Sequence, residues 1–171
     1  FAVAMTGDYA LTNLTQDADL DGYQDADDDC NTTAGTSTID RTGCPDTDGD
    51  GYSNPDGNWT VNNGADAFPS ETTQWADQDY DGYGDNAAGV QPDACVATAG
   101  NSTGDRFGCT DSDGDGYSNP DGSWTTANGA DACSSVSGTS NQDRNGCADQ
   151  DGDGYSDPDG SWGTTNGADA F

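Results

Sequence analysis

Apolar residues in this chain hold a regular period only at its start. There Phe1-Ala2-Val3-Ala4-Met5, followed by Tyr9 and Leu11 in alternation, reads as a short β-strand, at an edge or donated to another subunit. The stretch is too short for a complete signal peptide and lacks its basic flank, and no segment can span a membrane. Leu, Ile, Val and Phe supply only 13 of 171 residues. No amphipathic helix is predicted, and the expected fold is mostly irregular and loop-rich.

What repeats instead is polar. The pattern Asp-x-Asp-x-Asp-Gly-Tyr starts at Asp17, Asp46, Asp77, Asp111 and Asp149. Carboxylates at alternate positions, with glycine at the sixth, let the backbone curl around one cation. Ca²⁺ takes six to eight oxygens at about 2.3 to 2.6 Å in flexible geometry. In the first copy Asp17, Asp19 and Asp21 offer side-chain oxygens, Tyr23 its carbonyl, and Asp25 and Asp28 stand at positions nine and twelve. The second copy offers Asp46, Asp48, Asp50, Tyr52 and Asn54, and the third Asp77, Asp79, Asp81, Tyr83 and Asp85. The fourth offers Asp111, Asp113, Asp115, Tyr117 and Asn119, and the fifth Asp149, Asp151, Asp153, Tyr155 and Asp157. A lone Asp/Gly run would be a solvated acidic loop; five in one register are metal loops.

Three copies carry an insertion after the core. A Pro-Asp-Gly turn begins at Pro55, Pro120 and Pro158; Trp59, Trp124 or Trp162 follows, and then Asn-Gly-Ala-Asp-Ala. The closing Asp66, Asp131 and Asp169 take the place of Asp28, because Asp28-Asp29-Cys30 aligns with Asp131-Ala132-Cys133. Asp93 does the same for the third copy. The insertion is expected to leave and return, bringing the last ligand, and its Asp56, Asp121 or Asp159 could help hold a second ion. The tyrosines and tryptophans are expected to form small hydrophobic nuclei; the tryptophans could instead be platforms for sugars.

The formal net charge is −30, with no histidine and three Lys+Arg. So charged a chain with so few core formers should not fold on apolar burial. Bound cations and cross-links can supply what is missing. Five divalent ions would take the charge from −30 to −20, and two per repeat to −10. Either surface repels nucleic acid and anionic membranes.

Cys30 and Cys44, Cys95 and Cys109, and Cys133 and Cys147 are each fourteen positions apart. Six cysteines allow fifteen connectivities, and the repeat makes three local loops the simplest. Each could contribute about 3 kcal/mol by restricting the unfolded chain. The alternative, a soft-metal site, lacks histidine and any C-x-x-C pair. Persisting disulfides place the protein outside the cell or on its surface. The second cysteine closes the phrase Asp-Arg-x-Gly-Cys, so Arg41, Arg106 and Arg144 share one repeat position, where an ion pair or carbonyl clamp is expected.

The resulting organisation is a strand-like segment 1–16, then repeats over 17–45, 46–76, 77–110, 111–148 and 149–171. Asn13, Asn31, Asn58 and Asn101 head glycosylation sequons, and Ser/Thr-rich stretches could carry O-linked sugars. Residues Asp17 to Asp28 match D-x-D-x-D-G-x-x-D-x-x-D and resemble the thrombospondin type 3 repeat; the other copies keep the first half of that pattern. The resemblance covers most of residues 17 to 171. It implies a chain wrapped around calcium ions, stapled by disulfides, with little regular secondary structure, used as a stalk, spacer or adhesive element. An EF-hand is excluded by the missing glutamate at position twelve and the missing flanking helices.

Three functions follow as expectations. The first is a calcium-rigidified rod, stalk or filament subunit binding about five ions or more, packed against copies of itself in a fibre or longer array and carrying covalent glycans. The second is a calcium-dependent module for carbohydrate or cell-surface adhesion. An enzyme is not expected: histidine, lysine and free thiol are all missing, and paired aspartates that could serve glycoside hydrolysis are here the metal ligands.

Overall fold

A computed structural model describes residues 16–170. The predicted N-terminal strand lies outside the described residues. Within them the chain is loop-rich, stapled by three disulfides, and builds no sheet. Its regular elements are two single 3₁₀ turns, Val61–Asn63 and Thr126–Asn128, and one isolated parallel bridge between Gly84 and Pro92. The residues divide into two compact units, Phe1–Ser70 and Glu71–Phe171.

Each acidic loop is folded by its own first residue. Asp46 Oδ1 accepts the Gly49 N–H at 2.8 Å and Oδ2 the Gly51 N–H at 3.0 Å. Asp17, Asp77, Asp111 and Asp149 hold their loops the same way. Such Asx turns leave the fourth residue with positive φ, which favours glycine. Copies two, four and five have Gly49, Gly114 and Gly152 there. Copies one and three instead carry Leu20 and Tyr80, at φ 66° and 65°, both exposed. The backbone returns when the N–H of position nine donates to the carbonyl preceding the loop, as from Asn54 to Pro45 at 2.8 Å.

The disulfides join Cys30 to Cys44, Cys95 to Cys109 and Cys133 to Cys147. Every bridge closes a loop around a buried serine. In the first, Ser37 Oγ accepts the Cys44 N–H at 3.0 Å, and the Thr36 and Ser37 amides return to Cys44 O. Ser102 and Ser140 repeat the arrangement. A Cβ on Gly35 would stand 1.9 Å from the Cys44 carbonyl carbon, so that position admits only glycine.

Each disulfide loop also grips the acidic loop that follows. The Gly51 carbonyl accepts the Thr38 and Ile39 amides, Gly116 those of Thr103 and Gly104, and Gly154 those of Asn141 and Gln142. The expected side-chain clamp forms beside these bonds. Arg41 pairs with Asp56 at 2.7 Å, donates to Ser53 Oγ and the Asn54 carbonyl, and lies 5.5 Å from the Trp59 ring centre. Arg106 and Arg144 likewise join Asp121 to Trp124 and Asp159 to Trp162.

The rings do not form the core that the sequence suggests. Trp59, Trp124 and Trp162 are half-buried, and Tyr155 is exposed. Among the described residues the buried side chains are Cys44, Cys109, Cys147, three alanines, Gln74, four aspartates, and Ser37, Ser53, Ser102, Ser118, Ser140 and Ser156, each serine with no exposed surface. With backbone turns this close together there is no room for rings, and small side chains that hydrogen-bond the turns fill the interior. The second unit opens on another polar plug. Gln74, only 2% exposed, donates to the Asn86 and Val90 carbonyls and accepts the Asn86 amide.

Candidate metal centres

In all five copies the three aspartates each offer an oxygen within 4.8 Å of the others: Asp17/Asp19/Asp21, Asp46/Asp48/Asp50, Asp77/Asp79/Asp81, Asp111/Asp113/Asp115 and Asp149/Asp151/Asp153. Such a group could hold a metal ion. The turns that build the loop account for part of its oxygens. Position five accepts the amide of the following tyrosine at 2.8–3.0 Å, which fixes the peptide just before the tyrosine carbonyl that was expected to ligate.

Other oxygens have no such use. Asp19, Asp48, Asp79 and Asp113, at position three, bear buried oxygens without a hydrogen-bond partner, and so do Asp50, Asp66, Asp93 and Asp131. A buried carboxylate oxygen can only accept, and leaving it without a donor or cation is strongly unfavourable. These oxygens fit a hard divalent cation, which binds such donors without needing a hydrogen from them.

The closing aspartates arrive as expected. The Asp66 amide donates to the Ser53 carbonyl at 2.9 Å, and Asp93, Asp131 and Asp169 do the same to Gly84, Ser118 and Ser156. Asp66, Asp93 and Asp131 are at most 5% exposed. A Cβ on Gly108 would lie 2.3 Å from Asp93 Oδ1 and 3.0 Å from Asp81 Oδ2, so closer and core carboxylate converge there. Gly146 marks the same convergence of Asp131 with Asp115, and Gly43 that of Asp28 with Asp21.

Burial, and then the carboxylates of the same copy, push Asp66, Asp93 and Asp131 up to about 6 against a backbone hydrogen bond that lowers them. A carboxyl raised in the folded state favours the metal-free fold below its ordinary range, near pH 4, and that stability is lost as pH rises through 6. A cation must displace the proton, so its affinity runs the other way. Between pH 7.5 and pH 5 calcium affinity at these sites is expected to fall about tenfold, the population ratio set by one pH unit below a group of pKa about 6. Calcium titrations at the two pH values check this; equal affinities would show that the closers are not ligands.

Position nine has a bracing part. Asn54 Oδ1 accepts the Thr47 amide at 3.2 Å while its Nδ2 donates to Thr47 Oγ1 at 2.7 Å, and Asn119 does the same with Ser112. Asp25, Asp85 and Asp157 accept the amide of position two in their copies. The insertion aspartates suggested for a second ion are instead engaged in the clamps. Asp56 gives Oδ1 to the Asn58 and Trp59 amides and Oδ2 to Arg41, which together hold its carboxyl down to about 2, and Asp121 and Asp159 are engaged alike.

Sequence reasoning missed one recurring trio. Asp40 accepts from the Ser53 amide, the Ser53 hydroxyl and the Trp59 indole N–H; Asp105 and Asp143 do the same for Ser118 with Trp124 and for Ser156 with Trp162. The signal was present as the aspartate before each arginine and the serine after three of the tyrosines. Asn31, Asn58 and Asn101 are exposed, and Asn13 lies outside the described residues. No described helix is long and apolar enough to cross a membrane. Neither a family profile nor a curated protein matches this chain.

Proposed function

We propose that this chain is a structural, extracellular calcium-binding repeat protein, a rigid spacer, stalk or filament subunit assembled with copies of itself and carrying sugars on exposed sequons. The observation that carries this reading is the buried, unpartnered carboxylate oxygen recurring at the place where an ordinary domain has apolar side chains. The resemblance of residues 17 to 28 to the thrombospondin type 3 repeat supports calcium as the ion, and so does a donor set made entirely of oxygen. Three disulfides support an oxidising compartment. The arginines are engaged in clamps between repeats, which fits a structural role better than a catalytic one.

Adhesion through tryptophan platforms has less support. Each indole N–H is taken by an aspartate, and an arginine covers the ring at 5.3 to 5.6 Å. Repeats that contact mainly their neighbours build elongated arrays. Small-angle scattering in saturating calcium is therefore expected to give a radius of gyration well above the roughly 16 Å of a compact domain of this length. A value near 16 Å would remove the spacer reading while leaving calcium binding standing.

A further inference from the structure

Each disulfide loop touches two acidic loops, the one before it and the one after. The Gly100 amide of loop 95–109 donates to Asp81 Oδ2 of copy three at 2.9 Å, and the Cβ position of Gly108 lies 2.3 Å from Oδ1 of that copy's closer, Asp93. Both carboxylates belong to the candidate site of copy three. From the same loop Asp105 accepts the Ser118 amide at 2.8 Å and the Ser118 hydroxyl at 2.6 Å. The Ser118 carbonyl in turn accepts the amide of Asp131, the closer of copy four, at 2.9 Å. One run of bonds through the loop thus joins the ligands of one site to a ligand of the next.

The other two loops repeat the connection. Loop 30–44 reaches Asp21 of copy one through Gly35, and Asp66 of copy two through Asp40 and Ser53. Loop 133–147 reaches Asp115 of copy four through Gly138, and Asp169 of copy five through Asp143 and Ser156. Without an ion, the carboxylates of copy three repel one another and Asp79 and Asp93 keep buried oxygens with no donor, which works against seating loop 95–109 on them. An ion gathers these carboxylates and gives the Gly100 amide a fixed acceptor. The seated loop presents Asp105 to Ser118, and Ser118 places Asp131. Part of the ordering that the ion of copy four requires is then already done, which is positive coupling carried by a loop that both sites bias.

We propose that calcium sites of consecutive copies joined by a disulfide loop bind cooperatively, occupancy of one raising the affinity of its neighbour at least fivefold. Ser53, Ser118 and Ser156, with Asp40, Asp105 and Asp143, are the positioning residues. This rests on the calcium reading, to which Asp93 and Asp131 point independently of the acidic triplets, each with an unpartnered oxygen on a side chain of a residue 5% and 1% exposed.

The test is a calcium titration of the intact, oxidised chain followed by nuclear magnetic resonance, reading the calcium-loaded amide signal of Gly116. That amide donates to Asp111 Oδ2 inside the loop of copy four and so reports on its site. Asp79→Asn, which weakens the ion of copy three, is expected to raise the calcium midpoint at Gly116 at least fivefold. Asp151→Asn in copy five should do the same, because coupling is reciprocal. In the background of Ser118→Ala the effect of Asp79→Asn should fall to less than half that factor, a comparison that cancels the general effect of removing one negative charge. An unmoved Gly116 midpoint in either folded variant overturns the proposal, and so does a shift that Ser118→Ala leaves undiminished. Should the variants not fold in saturating calcium, the unaltered chain decides: a Hill slope above 1 at Gly116 is expected, and a slope of 1 overturns the proposal. A chain in which no glycine signal responds to calcium refutes the calcium reading itself, an outcome distinct from uncoupled sites.

Discussion

Transfer of the calcium-loaded chain into excess chelator is expected to abolish its ordered structure, and re-addition of calcium to restore it. Near-ultraviolet circular dichroism of the tyrosines and tryptophans and resistance to protease should be lost together. The ion-free chain has little to set against its formal charge of −30. Among the described residues ten carboxylate oxygens are buried without a donor, and apart from the aspartates the buried side chains are small: cysteine, alanine and serine, with one glutamine. At free calcium a hundredfold above the dissociation constant each ion adds about 2.7 kcal/mol, so five add about 13, as much as the whole stability of an ordinary domain. The disulfides remain and contribute about 3 kcal/mol each on the chain-entropy account, which keeps three local loops but not the packing between them. Unchanged dichroism and protease resistance in chelator would show that something other than a cation holds the fold.

The second large effect is expected at a residue that binds no ion. In Asp105→Ala the Ser118 amide, the Ser118 hydroxyl and the Trp124 indole N–H lose their shared acceptor, now at 2.8, 2.6 and 3.0 Å. Ser118 is fully buried, so water cannot replace the carboxylate without opening the repeat. Hydrogen bonds to a charged group contribute about 1.5 to 3 kcal/mol each, and they are not additive here; a loss of about 3 to 5 kcal/mol is expected. Denaturant unfolding in saturating calcium measures it. Asp105→Asn keeps one acceptor oxygen and should lose less than half as much. Equal stability of the alanine variant and the parent would show that Arg106 and the Thr103 and Gly104 amides on the Gly116 carbonyl join the two repeats without it.

These two predictions address different layers of one construction. Cations are proposed to satisfy the interior of each acidic loop, while the Asp-Arg pair of each disulfide loop holds the next loop through serine and tryptophan. The second layer uses all three arginines of the chain, each with an aspartate partner at 2.6 to 2.9 Å. Its carboxylates behave oppositely to the closers. The carboxyl of Asp56 is held down to about 2 by backbone amides and Arg41, so its ion pair persists at the mildly acidic pH that protonates Asp66. In mild acid the clamps should therefore outlast the metal sites.

Much of this was legible in the residues. Alternating aspartates before Gly-Tyr specify a turn locally, because each first aspartate caps amides three and five positions on, and a local rule survives any tertiary arrangement. Cysteines fourteen apart in three copies pair for the same reason of proximity. The return of Asp66 and Asp131 was readable from their alignment with Asp28. What sequence pattern did not disclose is what depends on contact between neighbouring repeats: the carboxylates of Asp40, Asp105 and Asp143 shared by a serine and a tryptophan, the serine interior, and the amides of Gly35, Gly100 and Gly138 donated to Asp21, Asp81 and Asp115. Asp, Ser and Gly in such a chain look alike whether solvated or buried. Their roles were assigned by which backbone amide came within reach, and that is a property of packing between loops, not of order along the chain.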